Sequence, residues 1–352
     1  MRPTSNLSLG IENPMHMGCV PDWEPATNLN QALRIATDAG MVLVGTPGNN
    51  GDVTTGKPYD CRVNWPCGRP EVLCVGATEL DVNNNGVVDS TETSQVADFS
   101  GHGARRIRID GSYAPALAVD MVASGEVLNY HVPNGPYLWD AIDSWYYYPT
   151  GEGPFPGGLE GTSFAAPQVS GQVALLQQGF YDAGLQPGPR ELIVNMLLMG
   201  DGMSDARTIY APWWNSGVGH SRIRAPQSMV GGPWGWGYRS LILYEGQTVT
   251  WTVNDSGPEA APVREWKWAV TWFDPLAADA SDIVIQAIDT CANNAVLAQD
   301  LSASPRKRII LRDWAVTGKC VVMKVTALHT SSSGIRLYSA DLYHSGSDLP
   351  GQ

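Results

Sequence analysis

The sequence predicts an α/β domain built on a parallel sheet that helices sandwich on both faces, followed by a C-terminal β-sandwich. Three observations predict it. Wholly apolar runs such as Met41-Val42-Leu43-Val44 and Val72-Leu73-Cys74-Val75 alternate with helical patterns, and only strands covered on both faces are apolar on both sides. Short β-branched and aromatic segments separated by turn residues fill the last third of the chain. Between these regions lies Gly231-Gly232-Pro233-Trp234-Gly235-Trp236-Gly237, which reads as a linker. The expected boundaries are therefore 1–230 for the α/β domain, 231–237 for the linker and 238–352 for the sandwich.

Residues 28–51 read as a helix and a buried strand. Ala32, Leu33, Ile35 and Ala36 recur at helical spacing, Gly40 supplies the stop, and the strand ends at Gly45. A second strand covers 71–76. After Gly161-Thr162-Ser163, residues 165–178 are helical, with Pro167 expected in the first turn, where its missing N–H has no intrahelical partner. Strands are expected over 248–253, 266–272, 283–285 and 321–325; Trp266, Trp268 and Trp272 could stack on carbohydrate, but their period-two spacing on one strand favours a sandwich core or face.

Composition narrows the function. With 43% hydrophobic and 16% charged residues, 38 Gly and 25 Pro among 352 residues, the chain is globular and rich in loops. No apolar run reaches the ~18 residues of a membrane span. A net charge of -13 argues against nucleic acid and anionic membranes as partners, since both require clustered Lys and Arg. Six cysteines point to an oxidising compartment and a secreted protein. Cys61 and Cys67 suit a short bridged loop, and Cys291 would pair with Cys320. Cys19 and Cys74 are left, the latter in an apolar run that suits a buried thiol as well as a bridge. No secretory signal opens the chain, so the true beginning is expected upstream of Met1.

The segment richest in chemistry is Gly161-Thr162-Ser163-Phe164-Ala165-Ala166-Pro167-Gln168-Val169-Ser170-Gly171. A serine at a helix N-terminus exposes its Oγ beside free N–H groups and a positive dipole, and small neighbours let a substrate backbone approach. An isolated Gly-Thr-Ser would be only a helix cap. The whole pattern resembles the nucleophile motif of the subtilisin-like (subtilase) serine peptidases, Gly-Thr-Ser-x-Ala-x-Pro-x-Val-x-Gly, and meets each fixed position. Further segments resemble that family's landmarks in order: Asn6-Leu7-Ser8-Leu9-Gly10, Thr46-Pro47-Gly48-Asn49-Asn50-Gly51, and Val119-Asp120-Met121-Val122-Ala123-Ser124-Gly125, where Ser124 replaces the family's proline.

The resemblance implies Ser163 as nucleophile and Asn49 as oxyanion donor. It also implies that Ser8, Leu9 and Gly10 bind an extended protein or peptide substrate by main-chain hydrogen bonds. One departure is serious. The family's general base and its orienting acid precede the Ser-Leu-Gly strand, and none of His16, His102, His131, His220, His329 and His344 stands in the family's His-Gly-Thr-His context. Both groups are expected on sequence upstream, and this chain alone is expected to be inactive. The rival expectation is a non-catalytic binding or adhesion module on a dead peptidase fold.

A separate signal lies in residues 81–92. Oxygen ligands at Asp81, Asn83, Asn85, Asp89 and Glu92, the Val87 carbonyl and Gly86 at the sharp turn match the twelve-position calcium loop. A structural Ca²⁺ ion is expected there, and no organic cofactor.

Overall fold

The computed structural model describes residues 3–10, 27–49, 63–79, 95–97, 99–101, 104–109, 112–127, 159–182, 190–199, 234–252, 263–273, 281–312 and 320–345. The elements of the N-terminal part are β1 (Thr4–Leu7), α1 (Thr27–Asp38), β2 (Val42–Gly45), β3 (Val72–Glu79), β4 (Gln95–Val96), β5 (Ala104–Ile109), β6 (Ser112–Leu117), β7 (Met121–Ser124), β8 (Glu126–Val127), β9 (Leu159–Glu160), α2 (Thr162–Asp182) and α3 (Arg190–Leu198). Strands β1, β2, β3 and β7 lie side by side in that order, all parallel, and β4 pairs antiparallel with the end of β3. Two small antiparallel pairs, β5 with β6 and β8 with β9, stand apart from this sheet.

The apolar strands are buried on both faces, as their composition requires. Val42, Val44, Leu73, Val75 and Ala77 share one core with Ala165, Ala166, Val169 and Val173 of α2. Their alternates Leu43 and Val72 pack instead against Leu33 and Ala36 of α1. Helices thus cover opposite faces of the sheet, set by the two-residue period of the strand. On α1 the expectation for Ile35 fails: Leu33 is buried, but Ile35 is 61% exposed. Asn30, Leu33 and Thr37 form the inward stripe at three- and four-residue spacing, and Ile35 lies off it. The helix stops at Gly40, whose φ is 83°. Gly40 N–H reaches Thr37 O at 2.8 Å and Met41 N–H reaches Ala36 O at 3.0 Å, a glycine-terminated Schellman end.

The C-terminal part contains β10 (Trp234–Leu243), β11 (Thr248–Thr252), β12 (Val263–Trp272), β13 (Asp282–Asp289), β14 (Ala295–Asp300), β15 (Arg306–Arg312), β16 (Val321–His329) and β17 (Ile335–Ser345). They form two antiparallel four-stranded sheets, β10-β17-β12-β15 and β11-β16-β13-β14. The sheets share one core: Trp266, Trp268, Val270 and Trp272 of β12 join Ile283, Ile285, Met323 and Val325 of the other sheet. Trp266 and Trp268 stack with centroids 5.8 Å apart, and Trp251 meets Trp268 edge-on at 6.1 Å. The opposite face of β12 carries Ala269, which with Ala340 of β17 belongs to the core that also holds Leu192, Ile193 and Leu197 of α3. Helix α3 therefore connects the parallel sheet to the C-terminal sheets.

Two expectations need correction. The stretch read as a linker enters strand β10 at Trp234, and Trp234 to Gly237 pair in register with His344 to Asp341. Antiparallel pairing satisfies the backbone of a Gly-containing segment whatever its side chains prefer. Cys67 is bonded to Cys74, so the expected Cys61–Cys67 bridge does not form; the Cys291–Cys320 bridge does. Both Cys67 and Cys74 are buried and belong to one small cluster with Val96, Val119 and Val122. Residues 81–92, and with them Asp81, Asn83, Asn85, Val87, Asp89 and Glu92, lie outside the described residues, as do Cys19, Cys61 and the side chains of every histidine but His329.

Candidate active site

The site forms where β1, β2 and β7 run out and α2 begins. Gly161 precedes the helix and links it to the sheet: its N–H donates to Gly125 O at 2.9 Å, and Gly125 N–H donates to Thr78 O at 2.9 Å. Gly125 must be glycine, because a Cβ there would collide with the Cβ of Ala77 and lie 3.3 Å from Gly161 O. Gln168 adds a side-chain tie, its Nε2 donating to Ser124 O at 2.7 Å and Phe164 O at 2.9 Å. Ser163 stands in the first turn of α2 and is exposed. No acidic residue occupies that turn, so the helix presents its positive end unneutralised.

Asn49 follows β2 by way of Thr46, Pro47 and Gly48. Its Oδ1 accepts two hydrogen bonds from Thr162, from N–H at 2.9 Å and from Oγ1–H at 2.8 Å. A backbone N–H can only donate, so the amide oxygen faces the helix and Nδ2 is turned away from Thr162. Asn49 therefore caps α2 from a distance of 113 residues in sequence. A Cβ at Gly161 would lie 3.3 Å from Nδ2, so glycine gives the amide room. The N–H of Ser163, among the first of α2, has no acceptor within the helix. Two donors thus lie at the start of the helix: Asn49 Nδ2, next to Gly161, and the Ser163 N–H.

The Asn49 loop is braced from both sides. Gly101 N–H donates to Gly48 O at 2.8 Å and Asn64 N–H donates to Pro47 O at 2.9 Å. Gly48 has φ 99°, and the Asn64 side chain occupies the space a Cβ there would need. Beyond β1, Ser8 donates from Oγ to Ser163 O at 3.3 Å. The structure accordingly brings Ser163, Asn49 and Ser8 together, and Leu9 and Gly10 continue from Ser8 on the exposed surface. Thr162 and Gln168 belong to the same constellation. The motif contained both, but their partners are remote in sequence and no local signal names them.

Comparison with known proteins matches the subtilase family over residues 4–206. The chain belongs to the subtilase family. It is similar to Subtilisin BL and Subtilisin Savinase from Lederbergia lenta, each 27% identical over 180 residues, covering 49% of this chain and 48% of the relative. It is also similar to an alkaline protease of Alkalihalobacillus alcalophilus, 27% identical over 180 residues and 34% of that protein. This subtilase chain spans half or less of the length of these curated relatives. Among solved structures, it is similar to the prenylagaramide maturation protease PagA, with 22% identity, 65% of this chain and 62% of that chain covered, and a TM-score of 0.40. A lanthipeptide protease gives 18% identity, coverages of 64% and 60%, and a TM-score of 0.40.

The histidine whose side chain is described, His329, lies in β16, where its Nδ1 is 3.2 Å from Glu245 Oε2. It belongs to the C-terminal sheets of the subtilase chain. What the described site offers is an exposed serine hydroxyl in the first turn of α2 and the Asn49 amide held against Thr162.

Proposed function

We propose that the protein is a serine endopeptidase acting on proteins or peptides. Ser163 Oγ attacks the substrate carbonyl while its proton passes to a general base, and the developing oxyanion is received by Asn49 Nδ2 and the Ser163 N–H. Collapse of the tetrahedral species expels the amine, which takes the proton from the base, and water then releases the acid from Ser163. The base and its orienting acid are assigned to sequence outside these 352 residues, and this chain by itself is expected not to turn over. Ser8, Leu9 and Gly10 would receive an extended substrate through main-chain hydrogen bonds.

The observation that carries this reading is the amide of Asn49, whose oxygen is held by both donors of Thr162 at the start of α2, one residue before Ser163. Fluorophosphonate labelling of the full-length protein tests it. Ser163→Ala is expected to abolish labelling, and Asn49→Ala to lower kcat about 10²- to 10³-fold; labelling that survives Ser163→Ala rejects the nucleophile.

Three finer assignments accompany this reading. The α/β unit, 1–230, is followed by a β-sandwich made of the two C-terminal sheets, an arrangement supported by their shared core. The bridges Cys67–Cys74 and Cys291–Cys320 support secretion into an oxidising compartment. Residues 81–92 are assigned as a calcium loop, with Asp81, Asn83, Asn85, Asp89 and Glu92 supplying side-chain oxygens and Val87 its carbonyl. The donor set is all oxygen, and Glu79 and Gln95, which flank the segment, pair side by side. Chelation is expected to lower the melting temperature and leave the chemistry of cleavage unchanged; superimposable melts with calcium and with chelator would refute the site.

A further inference from the structure

The carbonyl of Ser163 is the one that a proline four residues on leaves open. In an α-helix the C=O of residue i accepts from the N–H of residue i+4. For Ser163 that residue is Pro167, which has no N–H; because α2 begins already at Thr162, Pro167 is its sixth residue and not, as expected, part of the first turn. The orphaned acceptor belongs to the residue that carries the nucleophile, and a side chain from elsewhere in the fold fills the gap. Ser8 Oγ, half-buried and 155 residues away in sequence, donates to Ser163 O at 3.3 Å. The same hydroxyl accepts from Asn6 Nδ2 at 2.9 Å. A hydroxyl has one proton, for which Asn6 Oδ1 and Ser163 O compete, each 3.3 Å away; the nearer Asn6 atom is the donor Nδ2, so the proton is assigned to Ser163.

We propose that Ser8 is a positioning residue: its hydroxyl, oriented by Asn6, replaces the helix hydrogen bond removed by Pro167 and fixes the end of β1 against the backbone of Ser163. The inference deepens the peptidase reading and rests on it for its catalytic consequence. In that reading residues 8–10 carry the substrate backbone and residue 163 carries the attacking oxygen, so the Ser8–Ser163 bond sets the spacing between them. An N–H at position 167 would satisfy the carbonyl but connect the helix only to itself. The pair of proline and serine converts an intrahelical bond into a bond between the two halves of the site. Misplacing reacting groups by a fraction of the distance between them acts on kcat more than on binding.

The test is a double-mutant cycle on the full-length protein. Ser8→Ala is expected to lower kcat roughly 10-fold with KM changed less than about twofold, and Ser8→Thr, which keeps the hydroxyl, to restore most of the loss. In a Pro167→Ala background the new N–H takes the carbonyl, so Ser8→Ala is expected to have no further effect. The same factor in both backgrounds, or a change in KM with kcat unmoved, overturns the proposal. The cycle is also read by melting, which needs no catalysis. Ser8→Ala lowers Tm by about 1–2 °C in the wild-type background and not in Pro167→Ala. Absence of that coupling sinks the tether whatever the activity. Coupling in a protein whose wild-type form resists fluorophosphonate keeps the tether and sinks the peptidase reading.

Discussion

Thr162 directs both of its donors onto a single atom, Asn49 Oδ1. With only its N–H bonded, that amide could rotate; with the hydroxyl added, its NH₂ has one direction. Thr162→Val keeps the shape and the N–H and removes one neutral hydrogen bond, a change of about 1 kcal/mol. The expected result is a fall in kcat of roughly fivefold to tenfold with KM unaltered, measured on the full-length protein. An unchanged kcat would leave Thr162 as a helix-initiating residue and nothing more. Ser163 and Asn49 stood out in the sequence through the resemblance of their segments to the subtilase motifs; taken alone, one would read as a helix cap and the other as a turn after an apolar strand. Thr162, Ser8 and Pro167 were visible as letters but not as partners, since their hydrogen bonds join positions that only the fold brings together.

At the scale of elements, the apolar runs of β2 and β3 and the stop at Gly40 were legible because burial on both faces and a positive φ leave strong marks on composition. Less was written in the segment around Trp234, where glycine suggested a linker and pairing with β17 made a strand. Cysteine spacing misled for a related reason: Cys74 lies on β3 and Cys67 precedes that strand, so a chain reversal sets their approach. Strand β13 carries a prediction of its own. Asp282 opens it half-buried, and burial raises its carboxyl above the usual range, with the charges of Lys307 and His329 opposing the shift in part. A carboxyl raised in the folded state contributes stability that is complete below the unfolded pKa, about 4, and lost as pH rises through the folded value. Asp282→Asn removes that dependence. The Tm of the variant is expected to match wild type near pH 3 and to exceed it by a degree or two at pH 7. A difference that stays constant across this range would show that the charge of Asp282 carries no penalty.

For the whole molecule, composition suggests two units joined at a Gly-rich break, whereas the packing joins them through buried charge. Asp120, buried just before β7, accepts Cys74 N–H at 2.8 Å and Arg306 Nη1 at 2.6 Å, and Arg306 Nη2 donates to Pro70 O at 2.6 Å. Arg306 opens β15 in the C-terminal sheets, and Pro70 and Cys74 flank the start of β3. Helix α3 is held from both directions. Arg190 reaches Glu71 O at 2.7 Å and lies 5.6 Å from the ring of Phe273, Asn195 donates to Tyr338 O at 2.9 Å, and Thr271 donates to Glu191 O at 3.1 Å. Burial, and then the neighbouring charge of Arg306, lower the pKa of Arg190, while Glu191 raises it in part. Removing one partner from a buried ion pair costs about 3–5 kcal/mol, because the remaining charge cannot recover its water. Arg306→Met should therefore destabilise the parallel sheet as much as the sheet that carries the mutation. In hydrogen exchange, amides of β3 and β7 are expected to lose protection in step with those of β12 and β17, and Asp120→Asn in the same background should recover part of the loss. If the C-terminal sheets instead melt alone while β3 and β7 stay protected, the buried pair is a contact between independent domains. The sequence break near residue 231 would then mark a boundary in folding as well as in composition.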